Sequence, residues 1–314
     1  MRFLVAILVT AVGTRITADE TQSSKASAAR SSGQAPMITL ERSSACGECL
    51  VANTSNFRIV WCAPEASVRA LAERCEQLAA ASRGAWLGKN RLIDWTPKCD
   101  VVVHPHVTEY VQALGPGSEQ TTGCATIRLD GGRVVLRRID LRADGVDWNS
   151  EVLPHELTHV VLADRFCTIQ IPPWADEGIA LLAESPDRMK QRLGELRQIA
   201  SGGFLYGARD LVAIKTSPQS AFRPLFYGQS LALVSLLLDC GSREQLLQFV
   251  EASQTKGFDA ALRGVYGDRR LAELERRFNA YTMTDRPLAW ARQDVVATTI
   301  RSRTPLRFVL RRAR

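Results

Sequence analysis

Leu153-Pro154-His155-Glu156-Leu157-Thr158-His159 is the stretch on which the fold turns. On an α-helix, positions i and i+4 share a face, so His155 and His159 can aim imidazole nitrogens at one ion. Glu156 is rotated by about 100° from His155 and falls beside that ion, where a carboxylate can take a proton from a metal-activated water. A catalytic zinc takes three protein ligands and keeps a fourth position open. A candidate for the third ligand lies downstream in Ile171-Pro172-Pro173-Trp174-Ala175-Asp176-Glu177-Gly178, where Glu177 stands 18 positions (177 − 159) beyond His159. The prolines end a connecting loop and Trp174 packs at the start of a new helix. Glu177 then falls in the first turn, where the helix dipole favours a carboxylate. Gly178 allows another backbone to approach closely.

Working outward, the chain changes character near residue 150. Before it, Phe57-Arg58-Ile59-Val60-Trp61 alternates as a half-buried strand does, and a helix with Pro64 in its first turn buries Val68, Leu71, Ala72, Cys75, Leu78 and Ala79. A strand over 100–104, a short helix over 107–114, and two strands over 124–129 and 133–142 around Asp130-Gly131-Gly132 follow. Beyond residue 150 the pattern is helical, over about 150–164, 174–184, 186–200, 226–239, 242–253, 257–264 and 268–281. Strands followed by helices describe an α+β protein of two lobes, a strand-rich one over 51–149 and a helical one over 150–285.

HExxH followed by WxxEGxA resembles the gluzincin zinc metallopeptidases, particularly the peptidase MA-like proteins and, more distantly, the zinc aminopeptidases. The motifs cover about residues 150–184, with a looser likeness from the strands near 55 to the helices near 280. The resemblance implies a zincin-like fold and Zn2+ held by His155, His159 and Glu177. It also implies Glu156 as general base and a peptide or protein substrate. The strand over 134–142 is expected to edge the cleft and pair with an extended peptide. Related gluzincins use a downstream Tyr or His to face the oxyanion; Tyr227, opening a helix, is the candidate here and Tyr206 the second choice.

The sequence departs from the thermolysin-like pattern at Leu181, where those members carry an Asp that orients a histidine. Glu184 reads either as a substitute for it or as a surface carboxylate, and Asp164 and Asp176 are further candidate partners of the imidazoles. No aminopeptidase motif for the substrate N-terminus is present. His104 and His106 read as structural or surface residues. A rival reading is a non-catalytic zinc-binding module that contacts cell-surface polymer or protein.

The ends of the chain bear on location. MRFLVAILVTAVG joins Arg2 to a short apolar run, and residues 1–18 read as a signal peptide cleaved near Ala18 or retained as an N-terminal anchor. An exported, periplasmic or secreted protein follows. Residues 19–50 read as a flexible linker, with order beginning near Asn56. The 8 cysteines suit an oxidising compartment and favour disulfides over a redox or metal role for Cys46-Gly47-Glu48-Cys49. A net charge of +7 is partly concentrated in the basic tail over 286–314. That tail is either simply solvated or in weak contact with an anionic surface. Nothing resembling a nucleic-acid motif accompanies it. With 46% hydrophobic and 23% charged residues the chain is ordinary globular material.

Overall fold

The structure is a computed structural model describing residues 37–43, 48–88, 94–216, 218 and 221–283. The expected signal segment, most of the linker, Cys46 and the basic tail lie outside them.

Six strands make one mixed sheet in the order β1-β2-β3-β4-β6-β5. They are β1 (Thr39–Arg42), β2 (Leu50–Asn53), β3 (Phe57–Trp61), β4 (Cys99–His104), β5 (Gly123–Asp130) and β6 (Arg133–Arg142). β3, β4 and β6 run parallel, while β1–β2, β2–β3 and β5–β6 are antiparallel. The parallel step from β3 to β4 is bridged by α1 (Glu65–Trp86). Its face of Val68, Leu71, Ala72, Cys75, Leu78 and Ala79 covers the apolar side of the sheet, as the helical spacing predicts. The short helix α2 (Val107–Leu114) follows β4.

Two expectations are corrected. Order does not begin near Asn56: β1 and β2 occupy part of the stretch read as linker. Thr39-Leu40-Glu41-Arg42 is almost entirely exposed, so backbone pairing with β2 places it, not apolar alternation. A disulfide between Cys49 and Cys62 extends the Leu50–Trp61 pairing of β2 and β3 by one position. Secondly, β6 does not edge the sheet. It is paired on one side to β4 and on the other to β5, and β5 is the edge strand. Its long β-branched run marks an interior strand, because a strand paired on both sides loses the most water.

The remaining helices are α3 (Leu153–Leu162), α4 (Pro173–Ala180), α5 (Pro186–Ala200), α6 (Ala208–Ala213), α7 (Arg223–Cys240), α8 (Arg243–Lys256), α9 (Phe258–Tyr266) and α10 (Asp268–Met283). This is the α+β, zincin-like architecture expected of the sequence. Buried apolar side chains form two clusters. One lies beneath the sheet and includes Leu153, Leu157, Val160 and Val161 of α3. The other lies among the helices and includes Leu162 of α3 with Trp174, Ile179 and most of α7.

In the sheet cluster, the guanidinium groups of Arg83 and Arg137 lie over Trp95, at 4.1 and 5.2 Å from its ring centre. Its indole N–H donates to Asp164 at 2.7 Å, and Asp164 also pairs with Arg137. The other five described cysteines, Cys75, Cys99, Cys124, Cys167 and Cys240, are thiols. Among the described residues, no helix is long and apolar enough to cross a membrane.

Candidate metal centre

A five-residue π-helical turn (Trp148–Val152) leads directly into α3, whose ten residues are all buried. Pro154 is tolerated because it sits in the first turn, where its missing N–H has no partner to lose. A fully buried helix must satisfy its polar side chains internally, and Thr158 does so by donating to the Pro154 carbonyl at 2.9 Å. The remaining polar groups, His155, Glu156 and His159, converge on one point.

The Nε2 atoms of His155 and His159 are 3.2 Å apart, and Glu177 Oε2 lies 3.4 Å from His155 Nε2. One donor atom from each of His155, His159 and Glu177 falls within 4.8 Å of the other two. The opposite ring nitrogens face carboxylates. His159 Nδ1 meets Asp176 Oδ1 at 2.8 Å, and His155 Nδ1 lies 3.4 Å from Glu184 Oε1. A carboxylate behind each ring fixes its orientation and leaves both Nε2 atoms turned inward. Asp176 and Glu184 are thus both brought to the imidazoles, whereas Asp164 is engaged by Trp95 and Arg137 instead.

Glu177 reaches the centre because α4 packs tightly on α7. A methyl at Gly178 would stand 2.6 Å from both the Ser230 carbonyl oxygen and Val234 Cγ2, so only glycine fits there. Glu156 is held against the edge strand: a Cβ on Gly123 of β5 would lie 3.0 Å from its Cγ. Tyr227, on the first turns of α7, is buried. Burial raises its hydroxyl pKa, and the nearby charges of Glu177 and Glu156 add to that. Tyr206 stands apart on the loop before α6. Both its backbone N–H and carbonyl bond the Gln229 side chain, and its ring packs on Phe204. His104 is bonded to Asp140 at 2.7 Å behind the sheet, and His106 is exposed, so neither joins the centre.

The electrostatics ask for a cation. Burial opposes charge on the shifted groups here, yet the imidazoles are raised and Glu177 and Glu184 lowered. His155 climbs to about 10 against burial because Glu177 and Glu184 face it. His159 is raised against burial by Asp176, and Glu177 is lowered against burial chiefly by His155. Glu184 falls to about 2 against burial, held by His155 and Arg192. Glu156 goes the other way: burial lifts its carboxyl to about 7, with His155 and His159 opposing. Both of its oxygens, and Oε2 of Glu177, are buried without a hydrogen-bond partner. Two imidazoles and a carboxylate with orphaned acceptor atoms fit a divalent ion of the zinc type.

The residue that sequence reasoning missed is Arg192 of α5, which grips Glu184 with two bonds of 2.6 and 2.7 Å. In the sequence it is one more arginine on an amphipathic helix, and no local spacing singles it out.

A mixed sheet bordering a two-histidine helix, followed by a helix that returns a buried glutamate, defines a zincin-like protein. Residues 132–284 match the model of the Peptidase MA superfamily, a span that opens at the β5–β6 turn and runs past α10. The match supports a peptidase MA-like family and suggests a peptidase-like function. No curated protein matches the sequence.

Proposed function

We propose that the protein is a zinc-dependent peptidase in which His155, His159 and Glu177 hold the metal and Glu156 is the general base. The observation that carries this is the convergence of three donors within 4.8 Å, with a partnerless buried carboxylate alongside. Zinc bound there supplies Lewis acidity toward a carbonyl and lowers the pKa of a water. Glu156 accepts the water's proton at its carboxylate and returns it to the departing amine. The Tyr227 hydroxyl donates to the oxyanion. The backbone edge of β5, unpaired among the described residues and running past Glu156, takes the role expected of the 134–142 strand and receives an extended peptide.

Metal analysis and hydrolysis of an unstructured protein substrate, with and without chelator, test the reading. Glu156→Gln is expected to keep zinc and to lose about 10²–10⁴-fold in rate. Full activity in that variant, or chelator-insensitive hydrolysis, would refute it. One observation favours a second reading, a non-catalytic zinc module: His155, Glu156, His159 and Glu177 are at most 2% exposed. Stoichiometric zinc with no cleavage anywhere in a peptide library selects that reading. The Cys49–Cys62 disulfide and the apolar N-terminal run support export. A mature protein beginning near residue 19 in the exported fraction is the expected result.

A further inference from the structure

We propose that Arg192 is a positioning residue for the metal centre, acting through Glu184 on His155; this rests on the zinc reading above. Arg192 comes from α5 and is 6% exposed. Its Nε and Nη2 donate to Oε2 and Oε1 of Glu184 at 2.6 and 2.7 Å, a two-bond fork on a fully buried carboxylate. The same Oε1 that accepts from Nη2 is the atom 3.4 Å from His155 Nδ1. The guanidinium therefore fixes the carboxylate that faces the imidazole at 3.4 Å.

A second contact fixes the same segment. The backbone N–H of Ser185 donates to Glu151 at 2.7 Å, and Glu151 belongs to the π-helical turn that launches α3. Glu184 is thus held by its side chain from α5 and by its neighbour's backbone from the base of the metal helix. Ser185 in turn caps α5 by accepting from the Arg188 N–H at 3.2 Å, so the helix that carries Arg192 starts at this anchor.

Charge points the same way. Glu156, Glu177, Asp176 and Glu184 gather four carboxyl groups around one centre. A permanent cation beside Glu184 offsets one of these charges and orients that carboxylate through the two-bond fork. Lysine lacks the planar fork and supplies a point charge only.

A merely structural role, tying α5 to the end of α4, predicts a different result. The experiment measures zinc affinity by competition with a chromophoric chelator, alongside melting of the metal-free proteins. The set is wild type, Arg192→Met, Arg192→Lys, Glu184→Gln and the Arg192→Met/Glu184→Gln double variant. Arg192→Met and Glu184→Gln are each expected to weaken zinc binding by about 10–100-fold. The double variant should be no weaker than Glu184→Gln alone, because the arginine acts through the glutamate. Arg192→Lys, which keeps charge and most of the volume, should still lose affinity and carries the test should Arg192→Met fail to fold.

Zinc affinity of Arg192→Met or Arg192→Lys within about twofold of wild type, below the roughly tenfold floor expected on losing an outer partner, overturns the proposal, as do losses that simply multiply in the double variant. A wild type that binds no zinc overturns the metal reading itself, which distinguishes the two failures.

Discussion

Glu156 is placed to cost the metal-free protein stability, and the size of that cost follows from its surroundings. Its side chain is completely buried, both oxygens lack a hydrogen-bond partner, and burial lifts the carboxyl from 4.5 to about 7. A carboxyl whose folded pKa is raised keeps its proton while the unfolded chain has already released it. Stability is therefore undiminished below about pH 4.5 and falls as pH rises toward 7. At about 1.4 kcal/mol for each pH unit, the full loss is about 3 kcal/mol.

Glu156→Gln keeps the shape and removes the ionisation. In metal-free protein, urea unfolding should show the variant matching wild type near pH 4.5 and exceeding it by up to about 3 kcal/mol at pH 8. In a melting experiment that is a rise on the order of 5–10 °C for a chain of this size. Zinc should shrink the gap, since a dication beside Glu156 favours its charged form. A gain equal at both pH values would refute the argument, and so would a variant less stable than wild type at pH 8.

Three further outcomes follow from particular contacts. Gly178→Ala forces a methyl to within 2.6 Å of the Ser230 carbonyl oxygen and Val234 Cγ2. It should cost about 1–3 kcal/mol by thermal melting and also weaken zinc binding by displacing Glu177; an unchanged melt would mean α4 and α7 part more easily than the packing implies. Asp176→Asn removes the carboxylate 2.8 Å from His159 Nδ1. Zinc affinity is expected to fall about 10–100-fold with the circular dichroism spectrum intact, and retention of full affinity would deny Asp176 its role. Replacing Cys49 and Cys62 together by Ala opens a link between positions 13 apart. A loss of about 3 kcal/mol is expected, and a wild-type melt insensitive to reductant would contradict it.

The centre was legible because its residues sit on helices, where spacing along the chain is spacing in space. His155 and His159 share a face by arithmetic, and the two prolines before Trp174 announce the helix that returns Glu177. Glu184 resisted the same arithmetic. α4 gives way to a 3-10 turn over Leu181–Ala183, so helical phase no longer says where residue 184 points, and its partner Arg192 lies on the next helix. Sheet order was the other blind spot. The β5–β6 hairpin could be read from Asp130-Gly131-Gly132, but which of the two takes β4 as its neighbour is a long-range choice. β1 was invisible because Thr39-Leu40-Glu41-Arg42 has one large apolar side chain and owes its place to main-chain bonds with β2. α6, only six residues long, is too short to show a period.

α3 is shared property. Leu153, Leu157, Val160 and Val161 belong to the cluster under the sheet, and Leu162 to the cluster among the helices. Neither cluster can be pulled apart without exposing part of this helix, so its amides should exchange with solvent only when the molecule as a whole opens. His155 and His159, the proposed metal ligands, thus ride on the segment expected to surrender last. An ion bound there could hardly leave by local fraying while the protein stays folded. A slow, cooperative release that tracks global unfolding is the kinetic signature to expect.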